Sequence, residues 1–187
     1  VYGQPKYVPC DEHHPLNPIN PYGRSKLMGE SLLKDWSLAE PKNRHAIALR
    51  YFNPVGSDPS GEIGEDPNGI PNNLMPFIAQ VAVGRRDCLQ IFGDDYETID
   101  GTGVRDYIHV VDLALSHVAA VEHIQELKPF EAINIGTGNG TSVMHMVRKF
   151  EQQSGKQVKF EIAPRRLGDA AEVWADASKA KLKLEFR

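Results

Sequence analysis

A tyrosine and a lysine stand four residues apart at the start of a predicted helix, directly after Asn20 and Pro21. Asparagine is a preferred N-cap residue and proline suits the first helical position, so a helix is predicted from Pro21 to about Leu38. Residues at i and i+4 share a helix face, which would bring the Tyr22 phenol near the Lys26 ammonium. A fixed cation favours the phenolate form of a tyrosine, so this pair could act as a base. Two ordinary half-exposed side chains would give the same pattern.

The elements around this helix follow an order typical of α/β proteins. Residues 1–3 are predicted to end a buried strand, and a loop rich in proline and acidic residues separates them from the helix. A further strand is predicted at 46–51, which gives the order strand, loop, helix and strand. This order favours a parallel sheet with the helix packed on one face.

Apolar spacing predicts the remaining elements. Helices are expected at 73–83, 110 to about 127 and 142 to about 153, strands at 89–92 and 159–162, and a short helix near the end. Gly84 is a typical stop for the first of these helices. The glycine- and proline-rich stretch at 54–60 predicts a boundary between residues 1–55 and residues 56–187.

Composition excludes several classes of protein. The 187 residues carry a net charge of −4, with 41% hydrophobic and 25% charged residues, which is typical of a globular protein. Nucleic acid is not predicted as a partner, because phosphate binding needs a concentrated basic face. The apolar runs are too short to span a membrane and no signal-like segment is present. Cys10 and Cys88 are too few for a disulfide framework, so a cytoplasmic protein is predicted.

The histidines do not predict a metal site. His13, His14 and His109 have no second cluster of ligands at the spacing of a tetrahedral site, so no metal is expected. His109 is expected to orient a backbone carbonyl or Asp112. No histidine is predicted to be catalytic.

A glycine cluster raises the question of phosphate binding. Gly136, Gly138 and Gly140 follow a predicted strand and precede a predicted helix, which is the order of a phosphate loop. Their spacing differs from G-x-G-x-x-G, and no acidic residue follows at the end of a second strand. The pattern favours a structural tight turn, with phosphate binding as the alternative.

Several ordered segments resemble known enzymes. Residues 1–3, 20–26 and 49–54 resemble the extended short-chain dehydrogenase/reductase family, and residues 64–76, 93–96, 100–114 and 165–169 are similar to its UDP-glucose (UDP-galactose) 4-epimerases. The resemblance runs almost end to end. It implies an α/β fold: the later part of a Rossmann-type doubly wound parallel sheet plus a smaller α/β substrate-binding lobe.

The resemblance also implies a domain organisation. Residues 1–55 would form the C-terminal part of the NAD-binding Rossmann domain and 56–187 the UDP-sugar-binding domain, with segments near 104–122 and 132–150 as candidates to pack back on the Rossmann sheet. The family's pyrophosphate turn and a Ser or Thr that contacts the reacting hydroxyl lie upstream of the matched region. We therefore expect a fragment that lacks the N-terminal NAD-binding part and the extreme C-terminus, and that is inactive alone.

The implied activity of the whole protein is an isomerase reaction in galactose metabolism. UDP-galactose and UDP-glucose would interconvert by reversible 4-epimerisation through a transient 4-keto intermediate, with tightly bound NAD as the cofactor. Tyr22 would be the catalytic base, and Lys26 would support it and hydrogen-bond the nicotinamide ribose. Tyr51 and Phe52 would join them around the cofactor.

The implied UDP-sugar contacts come from loops and strand ends. Arg105 and Arg166 offer planar charged forks suited to a diphosphate. The full set is Asn53, Asn72, Asn73, Leu74, Gln90, Ile91, Phe92, Arg105, Arg166, Asp169 and Val173. By residue type alone, Leu74 and Phe92 fit core positions, and Arg105 could equally form a structural ion pair with Asp106.

The resemblance leaves specificity, activity class and assembly open. Val173 aligns with a pocket-wall position, and its small side chain is expected to leave room for a 2-N-acetyl group, as in UDP-GlcNAc and UDP-GalNAc. The alternatives are another NAD-dependent nucleotide-sugar dehydratase or decarboxylase, and a non-catalytic sugar-nucleotide-binding module. An apolar stripe through Leu27, Leu33 and Trp36 fits a homodimer interface as well as packing on the sheet.

Overall fold

Helices and strands alternate through the computed structural model, which describes residues 1–186. The strands are β1 (Ala46–Tyr51), β2 (Asn53–Val55), β3 (Leu89–Phe92), β4 (Val104–Arg105), β5 (Tyr107–His109), β6 (Phe130–Ile135), β7 (Thr141–Ser142), β8 (Phe160–Ala163) and β9 (Glu172–Val173). The α-helices are α1 (Pro21–Ala39), α2 (Leu74–Ala82), α3 (Val110–Glu122), α4 (Val143–Ser154) and α5 (Ser178–Lys183). The predicted α/β class is confirmed.

Helix α1 begins as predicted. Its first residue is Pro21, and the side chain of Asn20 accepts a hydrogen bond from the backbone N–H of Gly23 at 2.7 Å. This bond satisfies one of the amides that have no partner within the first turn. The N-cap therefore fixes where the Tyr22 and Lys26 side chains leave the helix.

Four of the five strand pairs are parallel, as the βαβ order predicts. β1 pairs with β6, β2 with β5 and β3 with β8, while β4 lies between antiparallel β7 and parallel β9. Because β1 continues almost directly into β2, the β1–β6 and β2–β5 pairs follow one another along the same stretch of chain.

Two apolar cores hold these elements. The first contains Ile108, Leu113, Ala120, Leu127, Ile133, Ile135, Ala180 and Leu184, and it joins α3, β5, β6 and α5. The second contains Ile78, Val81, Leu89, Ile91, Val147 and Val158, and it joins α2, β3 and α4. Residues from both sides of the predicted boundary pack on the first core, since Ile47 and Leu49 of β1 contact it. The assignment of residues 1–55 and 56–187 to two domains stays a prediction.

Two predicted elements differ from the structure. The strand expected at the start of the chain is wrong: of residues 1–3 only Gly3 pairs with a neighbour, in one isolated parallel bridge with Asn17, and a single bridge does not make a strand. Helix α3 ends at Glu122 rather than near 127, and the chain tightens into a 3₁₀ turn at Ile124–Glu126. No helix within residues 1–186 combines the length and apolarity needed to cross a bilayer.

Candidate active site

The predicted tyrosine–lysine pair lies side by side on α1. The Lys26 ammonium sits 5.2 Å from the centre of the Tyr22 ring, and the Tyr22 side chain is 70% exposed. Within residues 1–186, Lys26 forms no salt bridge to a carboxylate. The phenol and the ammonium are therefore both accessible to a ligand.

The residues predicted to border the cofactor lie at the carboxyl end of β1. Tyr51 is half-exposed and its ring centre lies 6.0 Å from that of His117 in α3. Phe52 is half-buried, with its ring centre 6.4 Å from that of Tyr2. Carboxyl ends of parallel strands are where ligands bind in open α/β sheets, which agrees with the predicted position beside a cofactor.

A cavity of about 480 Å³ collects most of the predicted substrate residues. Its walls include Asn53, Asn72, Asn73, Leu74, Gln90, Ile91, Phe92, Arg105, Arg166 and Asp169. These residues come from β2, the loop before α2 and the first residue of α2, β3, β4, and the loop before β9. The volume is in the range of small-molecule sites, and the mixture of apolar walls with a few polar groups is typical of them.

The cavity is cationic. Arg105 and Arg166 both approach the carboxylate of Asp169, at 3.9 Å from Oδ1 and 2.9 Å from Oδ2 respectively. Arg105 is held from behind because it donates to the Val104 carbonyl at 2.8 Å. Together with Arg86, which also lines the cavity, three guanidinium groups face one carboxylate among the lining residues. This balance favours an anionic ligand such as a diphosphate.

The amino end of α2 adds to this preference for anions. Asn73 is the N-cap residue, and Leu74 and Met75 of the first turn line the cavity. The side chain of Asn73 does not cap the helix and instead donates to Glu65 at 2.9 Å. The positive end of the helix dipole is therefore directed at a site already lined by arginines.

The strand β3 contributes apolar and aromatic side chains to the cavity. The guanidinium of Arg166 lies 4.6 Å from the ring centre of Phe92, and Ile91 beside it is buried in the second core. Gln90 is exposed at the edge of β3. Phe92 and Leu74, which could have been core residues, both line the cavity, although Leu74 also packs against the second core.

Several lining residues were not predicted. They include Met75, Phe77, Arg86, Tyr96, Tyr107 and Val143. Tyr107 could have been found, because it stands two residues after Arg105 and side chains two apart in an extended chain point to the same side. Burial raises the pKa of Tyr107 to about 12, and the nearby charge of Arg105 opposes this shift. Its phenol is therefore a neutral hydrogen-bonding group at physiological pH.

Arg86 and Val143 carry no sequence signal, since they approach the cavity only through folding.

Asp106 explains both the glycine cluster and the arginine before it. Its fully buried carboxylate accepts hydrogen bonds from the amides of Thr137 and Gly138 at 2.9 and 3.0 Å. A side chain at Gly136 would come within 2.5 Å of the same carboxylate. These amides are occupied by a carboxylate, so the cluster is a structural turn and not a phosphate loop. Arg105 pairs with Asp169 while the Asp106 oxygens accept from Thr137, Gly138 and Ala175, so these two neighbouring residues do not form an ion pair.

Val173 lies beside the cavity without lining it. It is the register partner of Arg105 in the β4–β9 pair and is half-buried. The structure thus places the proposed specificity position next to a cavity arginine, and its role stays a prediction.

The histidines have structural roles. His109 caps α3 by accepting from the Val111 amide at 3.3 Å, which differs from the predicted contact with a carbonyl or Asp112. The reason is its position immediately before the helix, where a free amide is available. His14 is buried and accepts from the Lys6 amide at 2.9 Å. Within residues 1–186, no three His, Cys, Asp or Glu side chains are grouped to hold a metal ion.

Comparison with known proteins extends these observations. The family model described as GDP-mannose 4,6 dehydratase matches residues 1–187. The UDP-glucose 4-epimerase of Cyamopsis tetragonoloba is 57% identical over 188 residues, covering 100% of this chain and 53% of its own length. The UDP-glucose 4-epimerase of Bacillus subtilis (strain 168) is 56% identical over 185 residues, covering 98% of this chain and 54% of its own length. The chain therefore spans about half the length of the curated relatives that it matches.

A solved structure shares the same fold. The UDP-glucose 4-epimerase of Bifidobacterium longum, solved in complex with NAD+ and UDP, superposes with a TM-score of 0.95 at 50% identity and covers 100% of this chain and 56% of its own. This agreement confirms that the parallel strand pairs belong to a Rossmann-type protein. The chain is therefore a member of the family described as GDP-mannose 4,6 dehydratase, within the extended short-chain dehydrogenases/reductases, and it is similar along its whole length to the UDP-glucose 4-epimerases.

Proposed function

We propose that the full-length protein interconverts UDP-galactose and UDP-glucose by reversible 4-epimerisation through a transient 4-keto sugar. The observation that carries this proposal is the cationic cavity, which gathers ten of the eleven residues expected to hold a UDP-sugar. The similarity to UDP-glucose 4-epimerases supports the same activity.

Tyr22 is the proposed base for the proton of the sugar 4-hydroxyl. It stands on a capped helix with an accessible phenol, and the Lys26 ammonium lies 5.2 Å from the centre of its ring. In the return step the same phenol gives the proton back, so Tyr22 acts as base and acid in turn.

The residues present fit NAD as the cofactor. Lys26 has an accessible ammonium without a carboxylate partner in residues 1–186, which suits the hydroxyls of a ribose, and Tyr51 and Phe52 lie at the carboxyl end of a parallel strand. When bound, NAD would accept the hydride from the sugar C4 and return it to the other face. The NAD and UDP in a solved relative support this assignment.

The hexose must present each of its two faces to the cofactor in turn, so most of the binding contacts must be made to the nucleotide. Arg105 and Arg166 are the proposed diphosphate ligands, with Asp169 held between them to accept from ribose hydroxyls. Asn53, Asn72 and the Gln90–Phe92 strand supply the remaining contacts. Tight binding of UDP then leaves the hexose free to turn.

An assay of the full-length protein without added NAD tests this function. We expect UDP-glucose to form from UDP-galactose, because the cofactor stays bound. The Tyr22→Phe variant should keep its affinity for UDP and lose turnover, by at least ~10² in kcat. Absence of turnover in the wild type with intact UDP binding would refute the proposal.

The two alternatives make different predictions. A dehydratase or decarboxylase would consume the nucleotide sugar without forming its C4 epimer, which chromatography of the products detects. A binding module would be indifferent to Tyr22→Phe in every measurement. The family model's description favours keeping the dehydratase as the second candidate.

N-acetylated sugars are proposed as additional substrates. Val173 is the register partner of the cavity residue Arg105, and its small side chain is the basis of this proposal. Val173→Tyr should therefore reduce turnover of UDP-GlcNAc more than turnover of UDP-glucose. Equal effects on both sugars would contradict this specificity.

The full-length protein is also proposed to be a cytoplasmic homodimer. On α1 the outward residues Met28, Leu32, Leu33 and Trp36 are 64%, 70%, 43% and 48% exposed, which is a large apolar surface for one helix. A second copy of the helix would cover it, and Leu32→Asp should shift the protein towards monomers in sedimentation. The two free cysteines agree with a reducing compartment.

A further inference from the structure

We propose that the buried ion pair between Glu30 and Arg50 positions the Tyr22–Lys26 pair for proton transfer. This inference rests on the proposed epimerase function. It concerns two residues that line no part of the cavity and touch neither Tyr22 nor Lys26 through hydrogen bonds or ion pairs.

Glu30 belongs to the same side of α1 as the reactive pair. Tyr22, Lys26 and Glu30 follow one another at intervals of four residues, so each stands about one turn beyond the last. Tyr22 and Lys26 leave the helix into an exposed region, whereas Glu30 turns into the protein and is 13% exposed. The carboxylate thus anchors the helix one turn away from the lysine.

Arg50 of β1 forms a fork of two hydrogen bonds with the Glu30 carboxylate. Its Nε donates to Oε1 of Glu30 at 2.9 Å and its Nη2 donates to Oε2 at 2.6 Å. Burial opposes the charged guanidinium, but the bonds to Glu30 and Tyr2 outweigh burial and raise the pKa of Arg50. A two-point contact between planar groups fixes both the distance and the rotation of α1 relative to β1.

The same arginine is fixed from its other side. Its Nη1 donates to the Tyr2 hydroxyl at 3.2 Å, and that hydroxyl donates to Oδ1 of Asn134 at 2.5 Å. Asn134 is fully buried in β6, and its Nδ2 donates to the Cys10 carbonyl at 2.8 Å. The network therefore connects α1 to β1, β6 and the first residues of the chain.

If the ion pair only stabilised the fold, apolar side chains could replace both of its residues without loss of stability or of activity. Removing one partner leaves a buried charge and destabilises the fold, but replacing both by well-packed apolar residues is often neutral. The double variant Glu30→Met with Arg50→Met therefore separates stability from positioning. It keeps similar side-chain volume and leaves the Tyr2–Asn134 bond possible, and it removes the fork to Glu30 together with the hydrogen bond from Arg50 to Tyr2.

The experiment is done on the full-length protein with UDP-galactose as substrate. We expect Glu30→Met/Arg50→Met to retain a melting temperature near that of the wild type and to keep its affinity for UDP, because the cavity residues are unchanged. Its kcat should fall by about 10- to 100-fold, since a displacement of about 1 Å at a reacting group has effects of this size. The matched control is Glu40→Met/Arg44→Met, an exposed ion pair just after α1, which should leave kcat unchanged.

Three results would overturn the inference: a kcat within about 2-fold of the wild type, an equal loss in the control, or a loss of kcat that accompanies loss of UDP affinity. If the double variant does not fold, Arg50→Lys provides the test, because it keeps a positive charge beside Glu30 and removes the two-point fork. A kcat at least about 10-fold below the wild type with unchanged UDP affinity supports the inference, and a kcat within about 2-fold overturns it. If the wild type itself has no turnover, the proposed function fails, and positioning is then judged by amide exchange in the first two turns of α1. Faster exchange in the folded double variant supports the inference, and unchanged exchange overturns it.

Discussion

Replacing Asp106 by asparagine should destabilise the protein severely although the two residues have almost the same shape. The carboxylate is fully buried and accepts four hydrogen bonds. Oδ1 accepts from the amide and hydroxyl of Thr137 at 2.9 and 2.7 Å, and Oδ2 accepts from the amides of Gly138 and Ala175 at 3.0 and 3.2 Å. Every partner is a donor, so the site is built for a group that only accepts.

The magnitude follows from counting these bonds. Asparagine keeps one oxygen and replaces the other by an NH₂ group. Facing Gly138 and Ala175, this NH₂ meets two amides that cannot accept from it; facing Thr137, it meets one such amide, because the hydroxyl can rotate to accept. Each hydrogen bond to a charged group contributes about 1.5–3 kcal/mol, so the expected loss is about 1.5–3 kcal/mol for one bond and about 3–6 kcal/mol for two. Either loss is a large part of the stability of many domains, which is about 5–15 kcal/mol.

Urea denaturation followed by circular dichroism measures this change in the free energy of unfolding. Asp112→Asn is the matched control, because Asp112 is exposed in the first turn of α3 and its loss should cost only about 0.3–1 kcal/mol. A loss for Asp106→Asn no greater than that of the control would refute the reasoning. UDP affinity should fall together with stability, because Asp106 lies between two cavity residues of the same strand region, Arg105 and Tyr107.

Three further predictions concern the frame of the site. Burial opposes ionisation of Asp100, but hydrogen bonds from Ser142 and Thr102 outweigh burial and lower the pKa of Asp100. The stability that this carboxylate contributes is therefore complete above about pH 4 and is lost as the pH falls through the pKa of the folded state. The free energies of unfolding of Asp100→Asn and the wild type should therefore converge as the pH is lowered. Gly136→Ala should lower the free energy of unfolding in urea by about 1–3 kcal/mol, because its methyl group would lie 2.8 Å from the Ala175 side chain. Gly29→Ala is the control: there is open space around Gly29, so this change should not destabilise α1. Asn20→Ala should cost about 1 kcal/mol and lower kcat by loosening the first turn of α1, measured by unfolding and by the epimerase assay.

Local sequence determined much of the secondary structure. Strands β1 and β3 have the predicted bounds, and α1 begins at Pro21, since these elements depend on capping residues and short apolar runs that act within a few positions. The strand predicted at residues 1–3 failed because a strand exists only when a neighbour pairs with it along several residues. The end of α3 was misplaced because apolar residues continue past the last helical turn.

Some residues of the site were predicted from the sequence, and others were identified only in the tertiary structure. The sequence by itself determined the Tyr22–Lys26 pair, because helical geometry places residues four apart side by side, and resemblance supplied the identity of the substrate residues. Only the tertiary structure decided that Arg86 and Val143 face the same cavity as Arg105, that Asp106 holds the glycine turn, and that Glu30 meets Arg50. These contacts join residues far apart in the chain, and their partners are selected by packing, which no local pattern encodes.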